Sequence, residues 1–110
     1  MQTSYPKIAL QGIDGLMFVQ ENEILYATAD GNYTYVKLTD NREIKVLRQL
    51  KEVGQLLPEG KFIRIHRSNL INLDHVIRLG SDDDVLMTDG KSLPLARDRK
   101  ADFIEKFTRI

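Results

Sequence analysis

Short apolar runs broken by tight reversals fill most of this sequence, a pattern that builds antiparallel β-sheet. Lys7–Gln11 and Gly15–Gln20 flank a turn cluster at Gly12, Asp14 and Gly15. Asp30-Gly31 separates Glu23–Ala29 from Asn32–Leu38, and the second run is rich in β-branched and aromatic residues. Asp40-Asn41 supplies a reversal before Glu43–Val46. Strand character returns at Phe62–His66, Leu70–Asn72, Val76–Leu79, Val85–Thr88 and Ser92–Leu95. Ser81–Asp84 and Asp89-Gly90 mark the later reversals.

Two segments change period. Leu47, Leu50, Val53 and Leu56/Leu57 recur at three-to-four spacing, with Arg48, Gln49, Lys51 and Glu52 opposite. Pro58 and Gly60 end the pattern, which predicts a helix of about ten residues. Arg97–Phe107 places Ala101, Ile104 and Phe107 on one helical face, leaving Arg97, Arg99 and Lys106 toward water. The expectation is one domain over residues 1–110 with a mainly-β, elongated fold. It comprises about ten short, mostly antiparallel strands in small sheets with two short helices. The helices are about 40 residues apart with strands between them, so no helix-turn-helix forms.

Composition removes several functions. The absence of cysteine excludes disulfides, thiol catalysis and cysteine-ligated zinc. No uncharged apolar run approaches the roughly 20 residues of a membrane span. Lys7 and Asp14 bracket too short an apolar stretch for a signal peptide, so a cytoplasmic location is expected. At 110 residues the chain has room for one domain, which puts any sensor elsewhere. Sixteen basic and 16 acidic residues give a net charge of zero, which argues against coating nucleic acid by bulk attraction. Distribution of charge then decides the matter.

The basic residues gather in two stretches. Lys61–Asn72 holds Lys61, Arg64, His66 and Arg67, with Ser68, Asn69 and Asn72 as neutral donors. Arg97, Arg99 and Lys100 open the last helix, where backbone N–H groups also favour phosphate. Side chains of these types contact phosphate oxygens or reach base edges. The acids Asp82, Asp83, Asp84 and Asp89 fall on a pair of turns. This allows a basic face for DNA with the acids held away from it.

At Phe62-Ile-Arg-Ile-His-Arg-Ser-Asn-Leu-Ile-Asn72 the chain resembles the LytTR family of bacterial response-regulator domains. Three further blocks follow the family order. They are Ile24–Thr34, ending in Asn-Tyr-Thr, then Leu47–Val53 and Asp89–Arg97. The resemblance covers residues 15–107. It implies small antiparallel sheets that lay loops into successive grooves of double-stranded DNA, reading bases without a recognition helix. By the same resemblance, the contacts are Asn32, Tyr33 and Thr34; His66, Arg67, Ser68 and Asn69; and Arg97, Arg99 and Lys100. Paired direct-repeat sites and a receiver domain outside this chain are also implied. No cofactor, membrane or small-molecule substrate is. Asn69 stands where an aromatic residue is common, and Ala96 where the family often has serine.

Plainer readings compete at several positions. His66 is expected to fix its turn, and Arg64 to hydrogen-bond internally, leaving Arg67 as the stronger DNA contact. Tyr33 and Tyr35 share one parity and read as sheet-packing residues on one face. Asn32 can take positive φ after Gly31. Asp82–Asp84 lacks the ligand pattern of a calcium loop, and His66 and His75 lack zinc spacing. Gly12-Ile-Asp-Gly15 imitates the loop of an RNA-binding KH domain but lies between strands. Two other functions stand beside DNA binding. One is a β-rich protein-interaction module without DNA affinity. The other is a hydrolase built on Ser68, His66 and one of Asp82, Asp83 and Asp84, for which the sequence supplies neither nucleophile elbow nor oxyanion hole.

Overall fold

Each reversal read from the sequence joins two antiparallel strands in the computed structural model, which describes residues 5–110. Residues 1–4 of the expected domain lie outside that range. Strands β1 (Lys7–Gly12) and β2 (Gly15–Gln20) form a separate hairpin. Strands β3 (Ile24–Asp30), β4 (Tyr33–Leu38), β5 (Glu43–Val46), β6 (Phe62–His66) and β7 (Asn69–Asn72) make a sheet in the order β5-β4-β3-β7-β6. The remaining strands, β8 (Val76–Leu79), β9 (Asp84–Met87) and β10 (Ser92–Pro94), pair in the order β10-β9-β8. Every pairing is antiparallel. An elongated fold was expected, and the principal extents of 41 × 31 × 25 Å make it moderately so.

The five-stranded sheet is covered on both sides. Ile24, Ala27, Val36, Leu38, Val46 and Leu70 pack with the β1–β2 hairpin and the first helix. Leu25, Tyr26, Ile65 and Ile71 pack with the three-stranded sheet and the second helix. Strand β3 serves both cores, so Ile24, Leu25, Tyr26 and Ala27 are all buried and its sequence lacks strict alternation. Two half-cores therefore share one central strand.

Helix α1 spans Leu50–Leu56, seven residues rather than ten. Leu50, Val53 and Leu57 are buried, whereas Leu47 and Leu56 of the expected stripe are 42% and 66% exposed. Leu47 stays outside the helix, in the bend after β5, where its N–H donates to the Gln11 carbonyl on β1 at 3.0 Å. Gly54 permits close packing of α1 on β7: a Cβ there would lie 3.0 Å from Leu70 Cδ1. Helix α2 (Lys100–Glu105) follows a 3-10 turn at Arg97–Arg99. It buries Phe103, with Ile104 packed beside it, while Ala101 faces solvent. Phe103 and Ile104 lie about 100° apart on the helix, so the face that meets the core is centred between them. Phe107 of the expected face is 42% exposed. Phe107 closes the helix by an edge contact to Phe103, with ring centroids 5.4 Å apart.

Candidate nucleic-acid interface

Strand register brings the separate segments together at one end of the five-stranded sheet. Thr28 pairs with Asn69 across β3 and β7, and the Ala29 N–H donates to the Ser68 carbonyl at 2.9 Å. The β3–β4 turn thus lies beside the Arg67-Ser68 turn that joins β6 to β7. A bulge between Arg64 and His66 interrupts the β6–β7 ladder. At that bulge the Ile65 carbonyl accepts the Ala96 N–H at 2.7 Å. This hydrogen bond sets the Arg97–Arg99 segment against β6. Residues distant in sequence become one surface through two backbone hydrogen bonds.

Arg64 and His66 act within the turn. Arg64 Nε donates to the His66 carbonyl at 3.0 Å, and its Nη2 donates to the Arg67 carbonyl. Burial, followed by the nearby Arg99 charge, lowers the Arg64 pKa from its ordinary value. His66 Nδ1 accepts the Ser68 backbone N–H at 3.2 Å. The internal roles read for both residues hold. The Ser68 contact with His66 is made by the peptide nitrogen, not by the hydroxyl that a nucleophile would use. Arg67 sits at the exposed apex and makes no ion pair among the described residues.

Thr34 and Asn69 do not present their side chains at this surface. Thr34 has no exposed area and donates its hydroxyl to the Arg48 carbonyl at 2.8 Å. Asn69 is 5% exposed, and its Oδ1 accepts the Thr28 hydroxyl at 3.1 Å. Both fix backbone position instead. Asn32 is exposed and accepts from Gln49 Nε2 at 3.0 Å. The left-handed conformation in that turn belongs to Gly31 (φ +61°), not to Asn32. Tyr33 and Tyr35 share the outward face, as their parity indicated, because Thr34, Val36 and Leu38 point into the core. Lys45 Nζ, unforeseen in the sequence, lies 4.8 Å from the Tyr33 ring centroid and 5.8 Å from that of Tyr35.

Ion pairing changes the expected charge map. Arg97 is exposed and Arg99 half-buried, but Lys100 Nζ is 2.8 Å from Asp83 Oδ1. The acidic turn therefore rests against the start of α2 rather than away from the basic residues. The Leu95 N–H bond to the Asp83 carbonyl holds it there. Lys61 lies at the opposite end of β6, bridging Asp74 at 3.1 Å and Glu21 at 3.2 Å. Its hydrogen bonds to Asp74 and then Glu21 raise its pKa. Lys61 thus leaves the basic cluster with which sequence order grouped it. Among the described residues, no group of three or more His, Asp or Glu side chains is placed to hold a metal ion. No helix there is long and apolar enough to cross a membrane.

A relative, the sensory transduction protein LytT of Bacillus subtilis (strain 168), is 28% identical over 95 residues, 83% of this chain. The chain spans only 39% of that protein. A solved LytTr DNA-binding domain from Bacillus cereus, assigned to a methyl-accepting/DNA response regulator, superposes with a TM-score of 0.80. That match has 25% identity and covers 94% of this chain and 97% of the other. The family model for the LytTr DNA-binding domain matches residues 14–108. With the ten-strand fold and nearly the whole chain matched, this protein belongs to the LytTr DNA-binding domain family.

Proposed function

We propose that this chain is the effector domain of a bacterial transcription regulator and binds double-stranded DNA sequence-specifically. The supporting observation is the convergence of two turns and the Arg97–Arg99 segment at one sheet end. Within it, Arg67, Arg97 and Arg99 make no ion pair among the described residues. Arg67 is the leading base contact, since arginine can bond guanine O6 and N7 bidentately in the major groove. Ser68 and the backbone around Asn32 suit phosphate or base-edge contacts, and Arg97 and Arg99 suit phosphate. Tyr33 is exposed beside the same turn. His66, Thr34 and Asn69 support the turns from inside, and Lys100 is reserved by Asp83. Loops entering successive grooves, paired direct-repeat sites, cytoplasmic action and a receiver domain elsewhere in the regulator complete the reading. Catalysis forms no part of it.

Selection from a random-sequence duplex pool tests this function. The expected result is an enriched sequence whose binding weakens as salt rises. Failure to retain any duplex would favour the protein-interaction module. Hydrolysis abolished by Ser68→Ala would favour the enzyme.

A further inference from the structure

Lys45 carries more information than its place in the sequence suggests. Its register partner across the β4–β5 ladder is Tyr35, and Thr34 pairs with Val46 beside it. The lysine therefore stands at the same sheet end as the β3–β4 turn. Its ammonium lies over Tyr33 and within reach of Tyr35. An aromatic face attracts a cation without cancelling its charge or consuming all its N–H donors. Carboxylates do the opposite to Lys61 and Lys100. Glu43, two residues earlier on β5, pairs in register with Lys37, and Lys45 makes no ion pair among the described residues. The result is an exposed, charged group whose position the two rings favour.

Its distance from Arg67 gives that position a meaning. The sheet order β5-β4-β3-β7-β6 puts Lys45 at one margin and the β6–β7 turn near the other. Three to four strand spacings separate them, roughly 14–19 Å. The major groove of B-DNA is about 12 Å wide. A surface of this span reaches past both walls of one major groove, with the turn at Asp30, Gly31 and Asn32 between its margins. We propose that Lys45, held by Tyr33 and Tyr35, contacts a DNA phosphate on the groove wall opposite the Arg67 side. This rests on the DNA-binding reading above. Lys45 would then fix how far the central turn enters the groove, while adding no base preference of its own.

The test uses the full chain and a duplex of about 30 base pairs recovered by random selection. Affinity is measured against salt for the parent chain, Lys45→Gln, Lys45→Arg and Tyr33→Leu. One lost phosphate contact reduces the log–log salt slope by about 0.9, so a fourfold rise in salt weakens Lys45→Gln about 3.5-fold less than the parent. Lys45→Arg should restore the slope, and Tyr33→Leu should lower affinity while leaving the slope near the parent value. The selected sequence should be the same for Lys45→Gln as for the parent. An unchanged affinity and slope in Lys45→Gln, with Arg67→Ala weakened, would overturn the Lys45 assignment alone. A changed base preference in Lys45→Gln would also overturn it. A parent chain that binds no duplex would instead remove the reading beneath it.

Discussion

Three residues show how differently this sequence uses polar groups. Arg67 is exposed at a turn apex that Arg64 holds from behind through two carbonyls. Arg67→Ala is expected to cost about 1–3 kcal/mol of binding and relax one base position in a repeated selection. An equal loss on every sequence would make it a phosphate contact. Asn72 is fully buried; its Nδ2 donates to the Ile24 carbonyl at 2.9 Å and its Oδ1 accepts the Asp74 N–H at 2.9 Å. Truncation to alanine strands both partners, so Asn72→Ala should lower stability by about 2–4 kcal/mol in urea unfolding. A change under 1 kcal/mol would show that the two groups find other partners. Tyr26 is buried and donates its hydroxyl to Asp89 Oδ2 at 2.7 Å. Desolvation, and then this bond, raise its pKa above the ordinary 10.0. The folded state therefore holds a proton that the unfolded chain has lost above about pH 10, so this contribution is intact below that pH and declines above it. In alkaline titration at the phenolate absorbance, Tyr26 should ionise only as the chain unfolds. Its ionisation in a still-folded chain would contradict the burial.

At the scale of elements, the bulge in β6 does what no regular strand could. A continuous ladder would occupy the Ile65 carbonyl, whereas the bulge leaves it to capture Ala96 and so position Arg97 and Arg99. Ala96 has φ −64° and ψ 142°, which proline can adopt, so Ala96→Pro removes the N–H at little cost to its own dihedrals. Loss of that bond, with the ring now crowding the Ile65 oxygen, should cost about 1–3 kcal/mol of stability. DNA affinity should also fall while Arg67's base preference persists. Undiminished affinity in a folded Ala96→Pro variant would mean that the Arg97–Arg99 segment acts independently of β6. This connection also marks the limit of what the sequence revealed. Strand positions were legible because Asp-Gly and Asp-Asn reversals and β-branched runs are local signals. The burial of Thr34 and Asn69 was not, because their partners Arg48 and Thr28 lie 14 and 41 residues away. Lys45 was hidden for the same reason, since its aromatic neighbours belong to another strand. Leu47 carried a helical period, yet it lies in the bend after β5, hydrogen-bonded to β1.

For the whole molecule, zero net charge leaves DNA binding to the local placement of cations rather than to bulk attraction. Arg42, Arg48, Lys61 and Lys100 each have a carboxylate partner within 4 Å. Lys45, Arg67, Arg97 and Arg99, gathered at the turn end of the five-stranded sheet, have none there among the described residues. If these four each neutralise a phosphate, the log–log salt slope should be about −3.6. It should be about −2.7 if Arg67 instead engages a base. A slope near zero would remove the electrostatic basis of the interface, and one near −10 would require phosphate contacts far outside it. The kinetics should separate local from long-range attraction. A neutral domain exerts little steering at distances beyond the Debye length, about 8 Å at physiological salt. Association should therefore proceed near the unsteered range of about 10⁵–10⁶ M⁻¹s⁻¹ and change little with salt. The salt dependence should appear mainly in dissociation, where contacts already formed are broken. Stopped-flow measurements at several salt concentrations decide the point, and an association rate that carries most of the slope would refute this local-contact account.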